Sequence, residues 1–194
     1  MKNKVMNKER ELEKLKEEMM ADAKLPFKSN LVFGEGNVGA KVLFIGEAPG
    51  REEDRLIRPF VGRSGKLLDK LFASLGWERG DVYITNIVKR RPPENRDPSL
   101  REISAYKSYL SKQIEIIDPK LIVTLGRFSL NYFLPEAKIS RDHGKLFCID
   151  GRYIYPLFHP AAALRSPERM GSALKKSFKR IPAIIKKVEK MKNL

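Results

Sequence analysis

Residues 41–69 read KVLFIGEAPGREEDRLIRPFVGRSGKLLD. The apolar run Val42–Ile45 has the unbroken hydrophobicity of a strand buried on both faces, the pattern of a parallel sheet. It stops at Gly46-Glu47-Ala48-Pro49-Gly50, where two glycines and a proline in five residues specify a tight, rigid turn. In open α/β sheets, ligands bind beyond the carboxyl ends of the strands, so this turn is a candidate site. Four carboxylates gather beside it: Glu47, Glu52, Glu53 and Asp54. Pro59-Phe60 and Gly62-Arg63-Ser64-Gly65 follow, and then a helix begins.

Outward from this stretch, strand and helix patterns alternate. Asn7–Ala21 predicts a helix with Leu12, Leu15 and Met19 on one face. Lys24–Asn30 reads as a linker, and Gly34–Asn37 as a turn. Arg63–Leu75 carries Leu67, Leu68, Leu71 and Leu75 at helical spacing, closed by Gly76. Asp81–Val88 reads as a second strand, and Arg90–Pro98 as a loop dense in Arg and Pro. A helix is expected over Leu100–Ile117, a strand over Leu121–Leu125, a short helix over Arg127–Phe133 and a strand over Tyr153–Phe158. The last helix, Arg169–Met191, should kink at Pro182. This order predicts an α/β protein: a three-layer α/β/α sandwich around a mainly parallel four-stranded sheet. Residues 1–194 read as a single domain, with an N-terminal helix at 1–23 and a basic C-terminal helix at 168–194.

The chain has 194 residues, enough for one sizeable core, and carries a net charge of +15. That charge points to a polyanionic partner such as nucleic acid or an anionic surface. It is unevenly spread. From Gly171 to Leu194, eight basic residues, Lys192 among them, face the single acid Glu189. Ile181, Ile184, Ile185 and Val188 give this helix an apolar docking stripe. No apolar run approaches the ~20 residues that span a bilayer, and the charged N-terminal stretch does not read as a signal peptide. The one cysteine, Cys148, allows no intrachain disulfide, so a cytoplasmic protein is expected. Gly62-Arg63-Ser64-Gly65-Lys66 is not a phosphate-binding P-loop, because Leu67 stands where Ser or Thr is required. The two histidines, His143 and His159, lie in separate segments, which argues against a metal centre.

Four stretches together resemble the family 4 uracil-DNA glycosylases. They are Gly46–Asp54 with Pro59–Gly65; Thr85–Lys89 with Arg91–Arg96; Leu125-Gly126; and His159–Ala162 with Leu164-Arg165. The likeness runs from about Asn30 to Arg165. It implies an enzyme of base excision repair that flips uracil from single- or double-stranded DNA and hydrolyses the N-glycosidic bond, leaving an abasic site. It also implies a monomer with no lysine Schiff-base chemistry.

The resemblance assigns roles by position. Asn86 would accept from uracil N3–H and donate to O4, Phe60 would stack on the flipped base, and Gly46 and Ala48 would line the uracil pocket. His159 would donate to O2 and stabilise the leaving anion. Glu47 is the first choice for activating water, because Ala48 stands where the best-known uracil glycosylases have aspartate. Glu53 would share the catalytic work or shape the pocket around uracil C5. Arg63, Ser64, Arg91, Arg96 and Arg165 would hold DNA, while Ala162 and Leu164 would wedge into the duplex gap. The bland alternatives are a strand-end Asn, a core Phe, a structural His, and acids paired with Arg51, Arg55 and Arg63.

The chain departs from the family in two respects. Its members carry four cysteines that hold an iron–sulfur cluster. Here Lys24–Lys28 contains none, and Arg90 and Tyr106 stand at the other two positions. Thiolates are the required ligands, so neither metal nor cofactor is expected; Arg90, Tyr106, Pro26 and Phe27 would replace the cluster by packing or cation–π contact. Ile57 replaces a glycine, which predicts a different loop if that glycine needs positive φ. Two rival readings stay open: a non-catalytic binder of uracil-containing or abasic DNA, and a basic α/β protein acting on RNA or nucleotides.

Overall fold

The computed structural model describes residues 2–191. Helices and strands alternate as α1 (Lys2–Ala21), β1 (Glu35–Gly36), β2 (Val42–Gly46), α2 (Arg51–Leu56), α3 (Arg63–Ala73), β3 (Tyr83–Asn86), α4 (Leu100–Ile117), β4 (Leu121–Leu125), α5 (Arg127–Phe133), α6 (Ile139–Asp142), β5 (Phe147–Ile149), β6 (Arg152–Leu157), α7 (Pro160–Arg165), α8 (Ser172–Phe178) and α9 (Ile181–Met191). The sheet order is β1-β3-β2-β4-β6-β5. The four inner strands are parallel, as expected, and two short antiparallel strands flank them. Lys192 and the two residues after it, like Met1, lie outside the described residues, so the end of the basic C-terminal stretch does too.

Period-two alternation divides the core between the two faces of the sheet. Val42, Phe44, Val123, Leu125 and Tyr155 point to one side, where Leu68, Leu71 and Phe72 of α3 and the apolar stripe of α9 cover them. Phe44, Phe72 and Phe178 meet there with centroids 5.0–5.7 Å apart. Leu43, Ile45, Ile122 and Ile154 point to the other side, under Leu12, Leu15 and Met19 of α1 and Tyr106, Leu110 and Ile114 of α4. Each such side chain contributes about 1.5–3 kcal/mol by leaving water. Helix bounds follow local chemistry. A Ser99–Glu102 capping box opens α4, and left-handed Asp118 closes it just before Pro119.

Several expected bounds shift. Helix α1 starts before Asn7, and the second strand is limited to Tyr83–Asn86. The expected turn at Gly34–Asn37 contains edge strand β1, because Glu35 and Gly36 pair with Ile84 and Tyr83. The acidic stretch after Gly50 is helix α2 and not loop. The C-terminal segment is not one kinked helix. A π-helical turn at Pro167–Gly171 precedes α8, and the chain breaks at Lys179-Arg180. Pro182 falls in the first turn of α9, where its missing N–H costs nothing. Helix α6 and the β5–β6 hairpin were not anticipated; its turn, Asp150-Gly151, has φ of 48° and 73°, as a type I′ turn requires.

Parallel strands place all their carboxyl ends on one edge. Gly46-Glu47, Asn86, Gly126 and His159 therefore converge, although they lie as much as 113 positions apart in sequence.

Candidate active site

A cavity of about 710 Å³ opens at that edge. Its wall holds Glu47, Ala48, Glu53, Phe60, Ser64, Asn86, Arg96, His159, Ala162 and Arg165 from the expected set. Gly46 is not on the wall but lies buried behind Asn86 and Phe60. A Cβ there would come within 2.4 Å of Asn86 Oδ1 and 2.5 Å of Phe60 Cζ, so only glycine lets the amide and the ring close over the strand end. Arg63, Arg91 and Leu164 sit outside the wall. Arg63 is exposed at the start of α3, Arg91 donates to Asn95 Oδ1 at 2.7 Å, and Leu164 is 39% exposed on α7.

Asn86 ends β3 and is only 2% exposed, yet among the described residues no protein group hydrogen-bonds its side-chain amide. A buried amide without a protein partner in a cavity wall can serve one donor and one acceptor of a ligand. The strand behind it is anchored by a polar network. Buried Lys89 donates from Nζ to Thr85 Oγ1 at 2.5 Å and to Gln113 Oε1 at 2.6 Å. Burial pushes the pKa of this amine well below its ordinary value.

Phe60 is buried, with its ring centroid 5.8 Å from that of His159. Its backbone is left-handed, φ 52°. Two side chains hold that loop from opposite polarities. Glu53 accepts from Val61 N at 3.0 Å, Gly62 N at 2.7 Å and Gly50 N at 3.2 Å. Arg79 donates to Pro59 O at 2.9 Å and to Phe60 O, and pairs with Glu35 and Asp69. Gly65 lets α3 start directly behind Phe60, where an added Cβ would overlap the Phe60 carbonyl. Both Glu53 oxygens are thus spent on backbone N–H groups, which places this residue as a brace of the pocket loop and not as a holder of water. The neighbouring acids are also engaged: Glu52 pairs with Arg55, and Asp54 accepts from Asn30 N.

Ile57 answers the question of the missing glycine. It caps α2 in the left-handed region, φ 55° and ψ 33°. The loop keeps the backbone that suits glycine, and a β-branched residue carries the strain.

His159 caps the N-terminus of α7, and its Nδ1 accepts from Ala161 N at 3.1 Å. Burial, with Arg165 nearby, pushes its pKa down to about 4. The ring is therefore neutral near pH 7 with its proton on Nε2, which remains as a hydrogen-bond donor in the cavity. Glu47, half-buried, shows the opposite shift. Burial and then the charge of Asp97 push its carboxyl up to about 7, against the pull of Arg127. A carboxyl near 7 is poised for proton transfer at neutral pH.

The sequence reading missed Asp97 and Arg127, which both line the cavity and form a 2.5 Å ion pair with each other. It also missed Phe158 and Met170 on the wall. Arg96 lines the cavity, but Glu102 holds it in a two-pronged pair. Arg63, Arg91 and Arg165 carry no carboxylate partner among the described residues, which leaves their charge for an anion.

The positions of the family's cluster ligands do not fit an iron–sulfur cluster. Arg90 donates to Ser29 O, Tyr106 Oη donates to Pro26 O at 2.8 Å, and the Arg96 guanidinium lies 5.5 Å over the Phe27 ring. Cys148 lies on edge strand β5, and among the described residues no three His, Cys, Asp or Glu side chains are grouped to hold a metal. Side-chain bonds to the 26–29 segment stand where thiolates would be. Among the described residues no helix is long and apolar enough to cross a membrane.

The chain is similar to known uracil-DNA glycosylases. The family model described as the uracil DNA glycosylase superfamily matches residues 33–181. The type-4 uracil-DNA glycosylase of Sulfurisphaera tokodaii is 45% identical over 183 residues, which span 88% of this chain and 83% of that protein. The type-4 uracil-DNA glycosylase of Archaeoglobus fulgidus is 45% identical over 150 residues, 73% of this chain and 75% of that protein. That of Thermotoga maritima is 46% identical over 142 residues, 72% of this chain and 74% of that protein.

Proposed function

This chain belongs to the uracil DNA glycosylase superfamily, and from that premise we propose that it is a monofunctional uracil-DNA glycosylase of the type-4 kind that works without an iron–sulfur cluster. Its reaction hydrolyses the bond between uracil N1 and deoxyribose C1′, giving free uracil and an abasic site. Single- or double-stranded DNA serves as substrate, and the protein acts as one domain and a monomer, in the cytoplasm. Arg63, Arg91 and Arg165 hold phosphates around the cavity, and Leu164, exposed on α7, fills the space the flipped base leaves.

The observation that carries the proposal is the pairing of Asn86 with His159 in one cavity. The free amide of Asn86 accepts from uracil N3–H and donates to O4, while Phe60 covers the face of the ring. The Nε2–H of neutral His159 donates to O2, where negative charge develops as the base leaves. A neutral donor suits this task, because a cation would bind the ground state and phosphates nearly as well. Glu47, ionised above about pH 7, accepts the proton of the water that attacks C1′.

Replacing His159 by Ala tests the proposal. Single-turnover excision from a uracil-containing oligonucleotide should fall about 10²–10³-fold, the loss typical of one transition-state donor, with binding retained. An unchanged rate would leave His159 a helix cap and nothing more.

A further inference from the structure

We infer that His143 is a positioning residue for His159, setting the backbone from which the catalytic imidazole projects. The inference rests on the reading of His159 as the donor to the departing base. His143 follows α6 as its C-cap residue. Its Nδ1 accepts from Phe158 N at 2.9 Å, so its proton is on Nε2, which donates to Ala173 O of α8 at 3.2 Å. The His143 ring also stacks on the Phe158 side chain, with centroids 4.0 Å apart and planes 12° apart.

The need for such a clamp follows from where the sheet ends. The last β4–β6 partners are Leu125 and Leu157. Phe158 is the first residue beyond the ladder, and its N–H has no strand to bond to. His143 supplies the missing acceptor and grips the adjoining side chain, so the residue immediately before His159 is fixed at both backbone and ring. His159 is then fixed from its other side by Ala161 N. The two histidines use the same tautomer in series. Each accepts a backbone N–H at Nδ1, and each keeps Nε2–H as donor: one for a carbonyl of α8, the other for the substrate. His143 is absent from the cavity wall, so its influence on chemistry runs through His159.

A double-mutant cycle on excision tests this. The variants are His143→Phe, which keeps the stack and loses the acceptor, His143→Asn, which keeps polar groups on a shorter reach, His159→Ala, and the two doubles. Alone, His143→Phe should slow single-turnover excision about 10–100-fold, the scale of a ~1 Å misplacement of a reacting group, with oligonucleotide affinity unchanged. His143→Asn should recover part of that rate. On the His159→Ala background, neither change should slow excision further, because the donor they place is gone. Losses that multiply in the double variants, a wild-type rate in His143→Phe, or a loss confined to affinity would overturn the inference. Should His143→Phe fail to fold, His143→Asn carries the same cycle alone. Failure of the underlying reading would look different: His159→Ala itself would then excise at the wild-type rate.

Discussion

Glu47→Gln should abolish excision and stabilise the fold in one step. A carboxyl whose ordinary value is 4.5 sits at about 7 in the folded protein, first because burial disfavours its charge and then because Asp97 repels it. The unfolded chain releases this proton near 4.5, while the folded chain holds it until about 7. Below pH 4.5 both states are protonated and the group costs nothing. Through pH 4.5–7 the cost grows, and above 7 it is complete. A rise of this size corresponds to ~3 kcal/mol. Glu47 is half-buried at an open cavity, and solvent screening there reduces the figure to about 1–2 kcal/mol. For a chain of this length that is roughly 2–8 °C in Tm. Thermal unfolding of wild type and Glu47→Gln at pH 4.5 and pH 8 should therefore show equal stability at the acid pH and a more stable variant at pH 8. In the wild type, single-turnover excision should fall tenfold per pH step below about 7. Asp97→Asn, by removing a like charge, should move that fall to lower pH. Replacing Arg127 by Met should move it higher. Equal Tm values at pH 8, or a rate that stays flat down to pH 5, would refute the assignment of Glu47 as the strained base.

Ile57→Gly should stabilise the protein by about 0.5–1 kcal/mol. It relieves a β-branched residue at φ 55° that is 55% exposed and buries little; a lower urea midpoint would mean that Ile57 makes contacts outweighing its strain. Tyr106→Phe should cost ~1 kcal/mol by leaving Pro26 O without its donor, and should speed proteolysis of the 24–30 segment. Unaltered stability and protection would show that this hydroxyl does not tether the 24–30 segment.

The inner sheet was legible because its strands carry continuous apolar runs, and the site was legible because parallel strands deliver their carboxyl ends to one edge. Asn86, Phe60 and His159 meet as expected. What local pattern did not reveal lies mostly in tertiary geometry. The left-handed backbone of Ile57 is set by the loop and overrides the preference of its side chain. Glu53 was expected to share the catalytic work or shape the pocket, but the backbone N–H groups of Val61 and Gly62, and that of Gly50 at the start of its own helix, claim it. Asp97 and Arg127 tune Glu47 from segments 50 and 80 positions away. His143 lies in a separate segment from His159 in sequence, and its partner is the N–H of Phe158, which no local pattern signals. The β5–β6 hairpin is different: Asp150-Gly151 between β-rich residues is a type I′ signal that pattern alone supports.

Bond cleavage is read from its products. The protein is incubated with an end-labelled oligonucleotide containing a single uracil, and one half of the sample is then treated with alkali. Cleavage at the uracil position only after alkali, with free uracil released in equal amount and no reaction of matched thymine or cytosine oligonucleotides, is the predicted result. An oligonucleotide that is bound tightly yet survives alkali intact, with no uracil released, would contradict the account and make the protein a binder of the lesion it was read as removing.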